Sequence, residues 1–337
     1  MTSAEFKPAL TPRVVAWLIV KLAIFALVLA FVVWALVDRF RAVDWQNLHP
    51  HVGCLVGAVA LLAVSAVSSA TGYRLLLASF GYPIRWTTML GVVWVAQLGK
   101  YVPGKLLSVA GGMWLLKKQN VPLTVGMAIN VMLMGLYVVM GLMVAAPLVV
   151  FAKITLLGPL TWLWSLLIVA AGVVMLHPRV FVGAINLGLR RLGREPLATR
   201  PRLRDYGGPL AMVLFQWILF GLALWLCARS VADVPLAEAP VLTCAAALAV
   251  TIGFVAVFAP AGLGVREGLL LLLLGPVLGD ATTAIVVVSM RFLQVIVETG
   301  LAGVGAIILR FAPAAPAATG SDNLRRQKHL RTPASQG

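Results

Sequence analysis

Long apolar runs separated by short polar segments dominate the chain. Six of these runs are continuous and approach or exceed the roughly 20 residues that a helix needs to cross a bilayer. Strand-period alternation is absent, and a backbone in lipid must satisfy its own hydrogen bonds, so these runs are predicted to be helical spans. They cover residues 17–37, 52–72, 124–146, 158–176, 209–227 and 281–309. The first run is too long for the core of a signal peptide.

Two further apolar stretches, residues 87–116 and 241–274, are each broken in the middle by proline and glycine. As helices, the limbs of the first stretch would rise only about 24 and 18 Å, which is short for a crossing. This favours re-entrant hairpins that turn near Pro103 and Gly104 and near residues 260–264; a pair of thin spans is the alternative for the first stretch. We therefore predict an all-α polytopic membrane protein with six full spans and two re-entrant helical hairpins.

The same elements recur in the two halves of the chain, in inverted orientation. A span, a hairpin and a span in residues 52–150 (repeat A) correspond to the same series in residues 209–310 (repeat B). The separation between Val52 and Pro103 equals that between Pro209 and Pro260. Residues 101–104 also resemble residues 258–261 in residue type. Paired interruptions in corresponding halves indicate a transporter's binding site near the bilayer midplane. The pattern thus predicts an inverted-topology repeat.

Lysine and arginine fix the predicted orientation, because cytoplasmic loops carry an excess of both. With the N-terminal tail, residues 1–16, inside, the basic connection at 177–208 and the basic tail at 311–337 also fall inside. The basic residues left outside are Arg39, Arg41, Lys153 and Arg229. Both termini are therefore predicted to be cytoplasmic. The Pro- and Ala-rich C-terminal tail is predicted to be disordered.

Composition supports a membrane protein over a soluble one. Hydrophobic residues make up 61% of the chain and charged residues 11%, so a soluble globule could not cover its own surface with polar groups. The net charge of +16 lies in segments between apolar runs, which indicates a membrane surface rather than nucleic acid as partner. Residues 180–192 combine apolar side chains with two arginines, as in a helix on the inner leaflet; a solvated linker is the alternative.

No residue pattern indicates an enzyme, a cofactor or a metal site. The three cysteines have no paired spacing, and His49 and His51 lack further ligands. Hydrolase, nucleotide-binding and metalloprotease motifs are absent from the sequence. The longest predicted cytoplasmic segment is also too short to form a catalytic fold. We therefore expect no catalytic residues, no cofactor and no metal.

Ionisable residues inside apolar segments are the best candidates for function. Each costs a few kcal/mol at the bilayer centre, so such residues face a protein interior or an aqueous cavity. The cations exceed the acids, which suits an anionic ligand such as a lipid phosphate. These residues are Lys100, Lys105, Arg266, Glu267, Arg291 and Glu298.

The two breaks contain features suited to phosphate. Lys100 and Lys105 flank the first break, where a broken helix leaves backbone N–H groups unpaired. The alternative is that both lysines extend from a shallow hairpin to the membrane interface. In the second break, Gly262 and Gly264 precede Arg266 and would let the backbone approach a ligand closely.

Arg291 and Glu298 lie two turns apart on one face of the last span. They are too far apart for a tight pair. Arg291 could instead meet Glu267, and Glu298 could meet Arg266 or a lysine. Direct ligand contact and a structural ion-pair network that locks the helices together both explain these residues.

Two stretches resemble the signature sequences of a known family. Residues 98–105 read Leu-Gly-Lys-Tyr-Val-Pro-Gly-Lys and are followed by Ser-Val-Ala-Gly-Gly at 108–112; residues 259–268 read Ala-Pro-Ala-Gly-Leu-Gly-Val-Arg-Glu-Gly. They resemble the lysylphosphatidylglycerol synthase transmembrane, or flippase-like, family. With the spans, the resemblance covers roughly residues 15–310 and marks residues 17–310 as the flippase-like domain.

The resemblance implies a multi-pass protein of the bacterial inner membrane that binds a lipid and moves it between leaflets. In relatives, a separate C-terminal domain makes lysylphosphatidylglycerol; residues 311–337 hold no such domain, so we expect no synthase activity. The lipid stays open between an anionic phospholipid and a polyprenyl- or hopanoid-type lipid. The predicted lipid-binding residues are Lys100, Tyr101, Pro103, Gly104, Lys105, Gly262, Gly264, Arg266, Glu267, Arg291 and Glu298.

Two other functions compete with lipid transport. The first is a non-transporting scaffold or accessory subunit that holds a lipid-biosynthesis enzyme or an exporter. The second, and the weakest, is a membrane-embedded glycosyl- or acyltransferase that uses Glu267 or Glu298 as a base. Neither acid has a recognisable nucleophile or metal partner in the sequence.

Overall fold

The computed structural model describes residues 50–101, 106–147, 161–191, 193, 203–256 and 262–312, and the regular structure in these ranges is helical. This confirms the predicted all-α class. Short 3-10 turns cover Leu98–Tyr101 and Leu236–Glu238. The helices are α1 (Val52–Ser79), α2 (Trp86–Gln97), α3 (Leu106–Lys117), α4 (Leu123–Ala145), α5 (Thr161–Leu176), α6 (Pro178–Arg191), α7 (Leu203–Arg229), α8 (Ala239–Val255), α9 (Val265–Leu278) and α10 (Asp280–Phe311).

Five helical segments in the described ranges are long and apolar enough to cross a membrane. Four of them, α1, α4, most of α7 and α10, match predicted spans. The fifth, Leu236–Val255, joins a 3-10 turn to α8. The predicted first span, residues 17–37, lies outside the described residues. The helices therefore have the lengths and composition of a multi-pass membrane protein.

The predicted span at residues 158–176 ends at Leu176 in the structure, as predicted, and its first residues, 158–160, lie outside the described ones. Helix α5 covers the described part, and α6 follows it at a bend of 72°. The chain turns at Pro178, because proline ends a preceding helix but fits the first turn of the next one. Helix α6 buries Phe181 and exposes Leu187 and Arg190, as the amphipathic pattern predicted. The connection is thus helical here rather than an irregular linker.

The first broken stretch forms two short helices that contact each other. Helices α2 and α3 have 12 residues each, which corresponds to a rise of about 18 Å and is well below a bilayer's thickness. The predicted short limbs are confirmed. Pro103, Gly104 and Lys105 lie outside the described residues.

The second broken stretch has one limb longer than predicted. Helices α8 and α9 contact each other, but with its preceding turn the first limb reaches 20 residues. The sequence prediction began this limb too late because Pro235, Glu238 and Pro240 resemble a loop. Pro240 instead lies at the start of α8, where its missing N–H leaves no helical hydrogen bond unmade.

The centre of the bundle is the pair α1 and α7, which pack along each other more extensively than any other two described helices. Small residues allow this close approach. A Cβ atom at Gly72 would lie 3.1 Å from Met212 Cβ, and Ser68 Oγ donates a 2.9 Å hydrogen bond to the Met212 carbonyl oxygen. Buried residues of other helices pack on both sides of this pair.

Helix α10 contacts α2 through glycines. A Cβ atom built on Gly91 would lie 2.9 Å from the Gly305 carbonyl oxygen and 2.8 Å from Leu309 Cγ. The two backbones therefore touch, and no larger side chain fits at Gly91. This contact brings the last helix against the first broken stretch.

We predict that Gly91→Val lowers the stability of the detergent-solubilised protein by about 1–3 kcal/mol, because the added methyl groups overpack the α2–α10 contact. The melting temperature measures the effect. The matched control is Gly300→Val, since a Cβ atom at Gly300 meets nothing within 4 Å. Equal melting temperatures for the two variants would contradict the close approach.

Candidate functional site

A cavity of about 340 Å³ lies where both broken stretches meet the long helices. Its lining includes residues from α1, α2, α4, α7, α8 and α10, together with the ends of the two breaks. Of the residues predicted to bind lipid, the lining includes Lys100, Gly262, Arg266, Arg291 and Glu298. Residues 190 or more positions apart in the chain are thus brought together at one site.

Glu298 on α10 ties the first broken stretch to the last helix. Lys100 Nζ lies 2.6 Å from Glu298 Oε1, and the Tyr101 hydroxyl donates a 2.7 Å hydrogen bond to Glu298 Oε2. The Lys100 side chain is 28% exposed and that of Glu298 10%, so the pair is only partly open to solvent. The prediction that Glu298 meets a lysine is confirmed.

Gln294 connects this pair to the second broken stretch. Arg266 Nη1 on α9 donates a 2.6 Å hydrogen bond to Gln294 Oε1, and Gln294 Nε2 donates a 2.9 Å hydrogen bond to Glu298 Oε1. The network therefore runs from Lys100 through Glu298 and Gln294 to Arg266. Gln294 is not among the residues predicted from the sequence because its side chain is neutral. Its spacing was the available signal, since it lies one turn from both Arg291 and Glu298 and shares their helix face.

Glu267 fixes the local structure of the second break. Its Oε2 accepts a 2.7 Å hydrogen bond from the Gly264 N–H, and its Oε1 lies 3.8 Å from Arg291 Nε. The predicted Arg291–Glu267 pair is confirmed. Tyr101, Gly264 and Glu267 are not among the residues that line the cavity. Tyr101 and Glu267 instead contact the lining residues Glu298 and Arg291, and Gly264 holds Glu267.

Glycine is required where the chain returns to α8 after the break. Gly262 and Gly264 have φ angles of 71° and 86°, in the left-handed region that other residues rarely adopt. A Cβ atom at Gly262 would lie 3.0 Å from the Gly253 carbonyl oxygen. This backbone contact holds the start of α9, and with it Arg266, against the cavity.

The two arginines keep unused hydrogen-bond donors. Arg266 is 5% exposed and lies over the Phe220 ring, 5.0 Å from its centroid. Arg266 Nε, Arg291 Nη2 and Glu267 Oε1 are buried without a hydrogen-bond partner. An unpaired buried polar group costs about 1–3 kcal/mol, and more when it is charged. Both arginines also line the cavity, which makes its wall suited to an anion.

A further part of the lining is polar but uncharged. The charged residues lie on the turn after α2, on α9 and on α10, whereas α1, α2, α4 and α7 contribute hydroxyl and amide groups. These neutral residues were not predicted from the sequence. The available signal was an isolated polar side chain within an apolar span. They include Ser69, Tyr73, Gln97, Asn130, Tyr137 and Gln216.

We predict that Lys100→Met and Glu298→Gln each lower the free energy of unfolding by about 1–3 kcal/mol, because each leaves a partly buried group without its partner. The double variant should lose less than the sum of the two, which a double-mutant cycle in denaturant measures. Lys118→Met, at an exposed lysine, is the control. Additive losses of unfolding free energy would show that Lys100 and Glu298 do not stabilise the protein through their interaction.

Comparison with known proteins agrees with the resemblance seen in the sequence. A search of curated proteins finds no match. The family model described as "Lysylphosphatidylglycerol synthase TM region" matches residues 18–302, which is most of the 337-residue chain. With its long apolar helices, the match identifies a multi-pass membrane protein. The chain belongs to the lysylphosphatidylglycerol synthase transmembrane-region family.

Proposed function

We propose that this protein is a flippase-like lipid transporter whose central cavity binds the headgroup of an anionic lipid. The observation that carries the proposal is the pair of arginines, Arg266 and Arg291, which line the same cavity within an apolar bundle. Lys100 adds a third cation to the same lining. A phosphate group would accept hydrogen bonds from guanidinium groups and offset the cost of holding them in an apolar bundle.

The size of the cavity supports binding of a headgroup alone. About 340 Å³ is near the lower end of the range for small-molecule pockets. A phosphorylated headgroup fits in this volume, whereas two long acyl chains do not. The chains would stay in the bilayer while the headgroup enters the protein, as transport between leaflets requires.

We propose that the two halves form an inverted-topology repeat around this cavity. The helix contacts support this, since they are the same when the halves are exchanged. Helix α1 of the first half packs on α7 of the second, α10 packs on α2, and α4 packs on α8. Each broken pair, α2–α3 and α8–α9, would be a re-entrant hairpin in this arrangement.

Headgroup binding would act on the contacts that α10 makes with the broken stretches. Glu298 of α10 holds Lys100, and Gln294 of α10 holds Arg266. A phosphate that binds Arg266 competes with Gln294 for it. Loading of the cavity would thereby loosen α10 from the second broken stretch, while α10 stays in contact with the first, and would couple binding to movement.

We predict that Arg266→Gln and Arg291→Gln each slow lipid translocation by about ten-fold or more, since one charged hydrogen bond contributes about 1.5–3 kcal/mol. Fluorescent phosphatidylglycerol in proteoliposomes, quenched from outside, measures the rate. Arg229→Gln, at an exposed arginine outside the cavity lining, should translocate at the wild-type rate.

The melting temperature of each arginine variant separates loss of function from loss of folding. Folded Arg266→Gln and Arg291→Gln variants that translocate at the wild-type rate would contradict the proposed site. If the wild-type protein moves no lipid and copurifies with a stoichiometric partner, an accessory role replaces transport.

We also propose a bacterial inner-membrane location with both termini in the cytoplasm, from the distribution of basic residues. In a background without native cysteines, Asp233→Cys should react with a membrane-impermeant maleimide in intact cells. Lys118→Cys should react only after the cells are opened, because the turn between α3 and α4 would face the cytoplasm. The opposite labelling pattern would show that the protein has the inverse orientation in the membrane.

A further inference from the structure

We infer that the lipid headgroup joins its phosphate to a neutral polyol, such as glycerol or a sugar, rather than to an amine. This inference rests on the proposed function, because it concerns the headgroup bound in the same cavity. Its basis is the uncharged part of the lining, which the proposed phosphate contacts leave unused.

Several neutral side chains of this lining have free hydrogen-bonding groups. Tyr73, Gln97 and Gln216 form no side-chain hydrogen bond within the described part of the chain, yet all three line the cavity. Asn130 Nδ2 donates to the Gly126 carbonyl oxygen at 3.0 Å, which leaves its own side-chain oxygen available. These groups are available to a ligand because they are not needed to hold the helices together.

Two serines of the same lining, in contrast, form hydrogen bonds within the protein. Ser68 Oγ donates to the Met212 carbonyl oxygen at 2.9 Å, and Ser65 Oγ donates to the Gln216 carbonyl oxygen at 3.5 Å. Both hydroxyls join α1 to α7 and therefore have a structural role. Tyr137 lines the cavity and is positioned by its ring, which stacks on Trp217 with centroids 4.3 Å apart.

The free groups match hydroxyls chemically. Amides and phenols both donate and accept hydrogen bonds, and so do the hydroxyls of a polyol. A bare phosphate would occupy the cations and make no use of Tyr73, Gln97 and Gln216, which lie in the same lining. A polyol attached to the phosphate would satisfy both parts of the lining at once.

An ammonium group fits this cavity poorly. It offers only donors and requires an acceptor of negative charge. Glu298 is the carboxylate of the described lining, and it already accepts hydrogen bonds from Lys100, Tyr101 and Gln294. Lys100 and the two arginines would repel a second cation. The lysyl group named in the family's description is therefore not the headgroup that this lining favours.

Binding of short-chain lipids to the full-length protein in detergent tests the inference. The probes are dioctanoyl forms of phosphatidylglycerol, phosphatidylinositol, phosphatidic acid, lysylphosphatidylglycerol and phosphatidylcholine, and calorimetry gives each Kd. We expect both polyol lipids to bind about ten-fold more tightly than phosphatidic acid, since two or more neutral hydrogen bonds contribute about 0.5–1.5 kcal/mol each. Charge alone predicts the reverse order, because phosphatidic acid carries the larger negative charge.

Variants of the neutral lining add a second measurement. The quantity compared is the Kd of phosphatidic acid divided by the Kd of phosphatidylglycerol. Gln97→Leu and Gln216→Leu should each lower this ratio, toward one, by about three-fold or more. Gln119→Leu, in the turn after α3, is the matched control and should keep the wild-type ratio. The melting temperature checks that all three variants are folded.

The outcomes separate this inference from the proposed function. If phosphatidic acid or lysylphosphatidylglycerol binds as tightly as phosphatidylglycerol, the polyol inference is overturned while an anionic site or a lipid site remains. Unchanged ratios in folded Gln97→Leu and Gln216→Leu variants overturn it as well. If no anionic lipid binds more tightly than phosphatidylcholine, both the inference and the proposed basic site fail.

Discussion

The interaction on which the site depends is the contact of Glu298 with Lys100 and Gln294, and through Gln294 with Arg266. Buried charges are unfavourable in an apolar bundle unless they are paired and hydrogen-bonded. By accepting three hydrogen bonds, Glu298 lets cations from two separate broken stretches lie beside one cavity. The long helix α10 supplies both Gln294 and Glu298, and so acts as the common support for elements that are far apart in sequence.

Much of the fold follows from the sequence because membrane helices have a simple requirement, an apolar run of sufficient length. That rule located α1, α4, α7 and α10. It was wrong at the start of α8. The prolines before and at the start of that helix resemble a loop, so the predicted stretch began at residue 241 and missed the turn at Leu236–Glu238 and the first residues of α8. Hydropathy does not register where a helix turns or which position in a helix a proline occupies, because both depend on contacts with neighbouring residues.

The charged part of the site was predictable because an ionisable residue within an apolar run needs a partner, which limits the choices. The pairing of Arg291 with Glu267 and of a lysine with Glu298 followed from this reasoning. The neutral part of the site was not predictable. A neutral side chain such as Gln97 or Gln216 costs less free energy within a span than a charged one, so it can occupy many positions without a partner. Only the three-dimensional arrangement shows that these side chains face the same cavity as Arg266.

The glycine contact between α2 and α10 limits how the cavity can open. Because the backbones at Gly91 and Gly305 touch, α2 and α10 are expected to move as one rigid body. Lys100 and Glu298 travel together on that body and need not separate. Arg266 and Glu267 belong to the other broken stretch, so the contacts that part during a rocking motion are the Arg266–Gln294 hydrogen bond and the Glu267–Arg291 pair. The Lys100–Glu298 pair would stay closed throughout that motion.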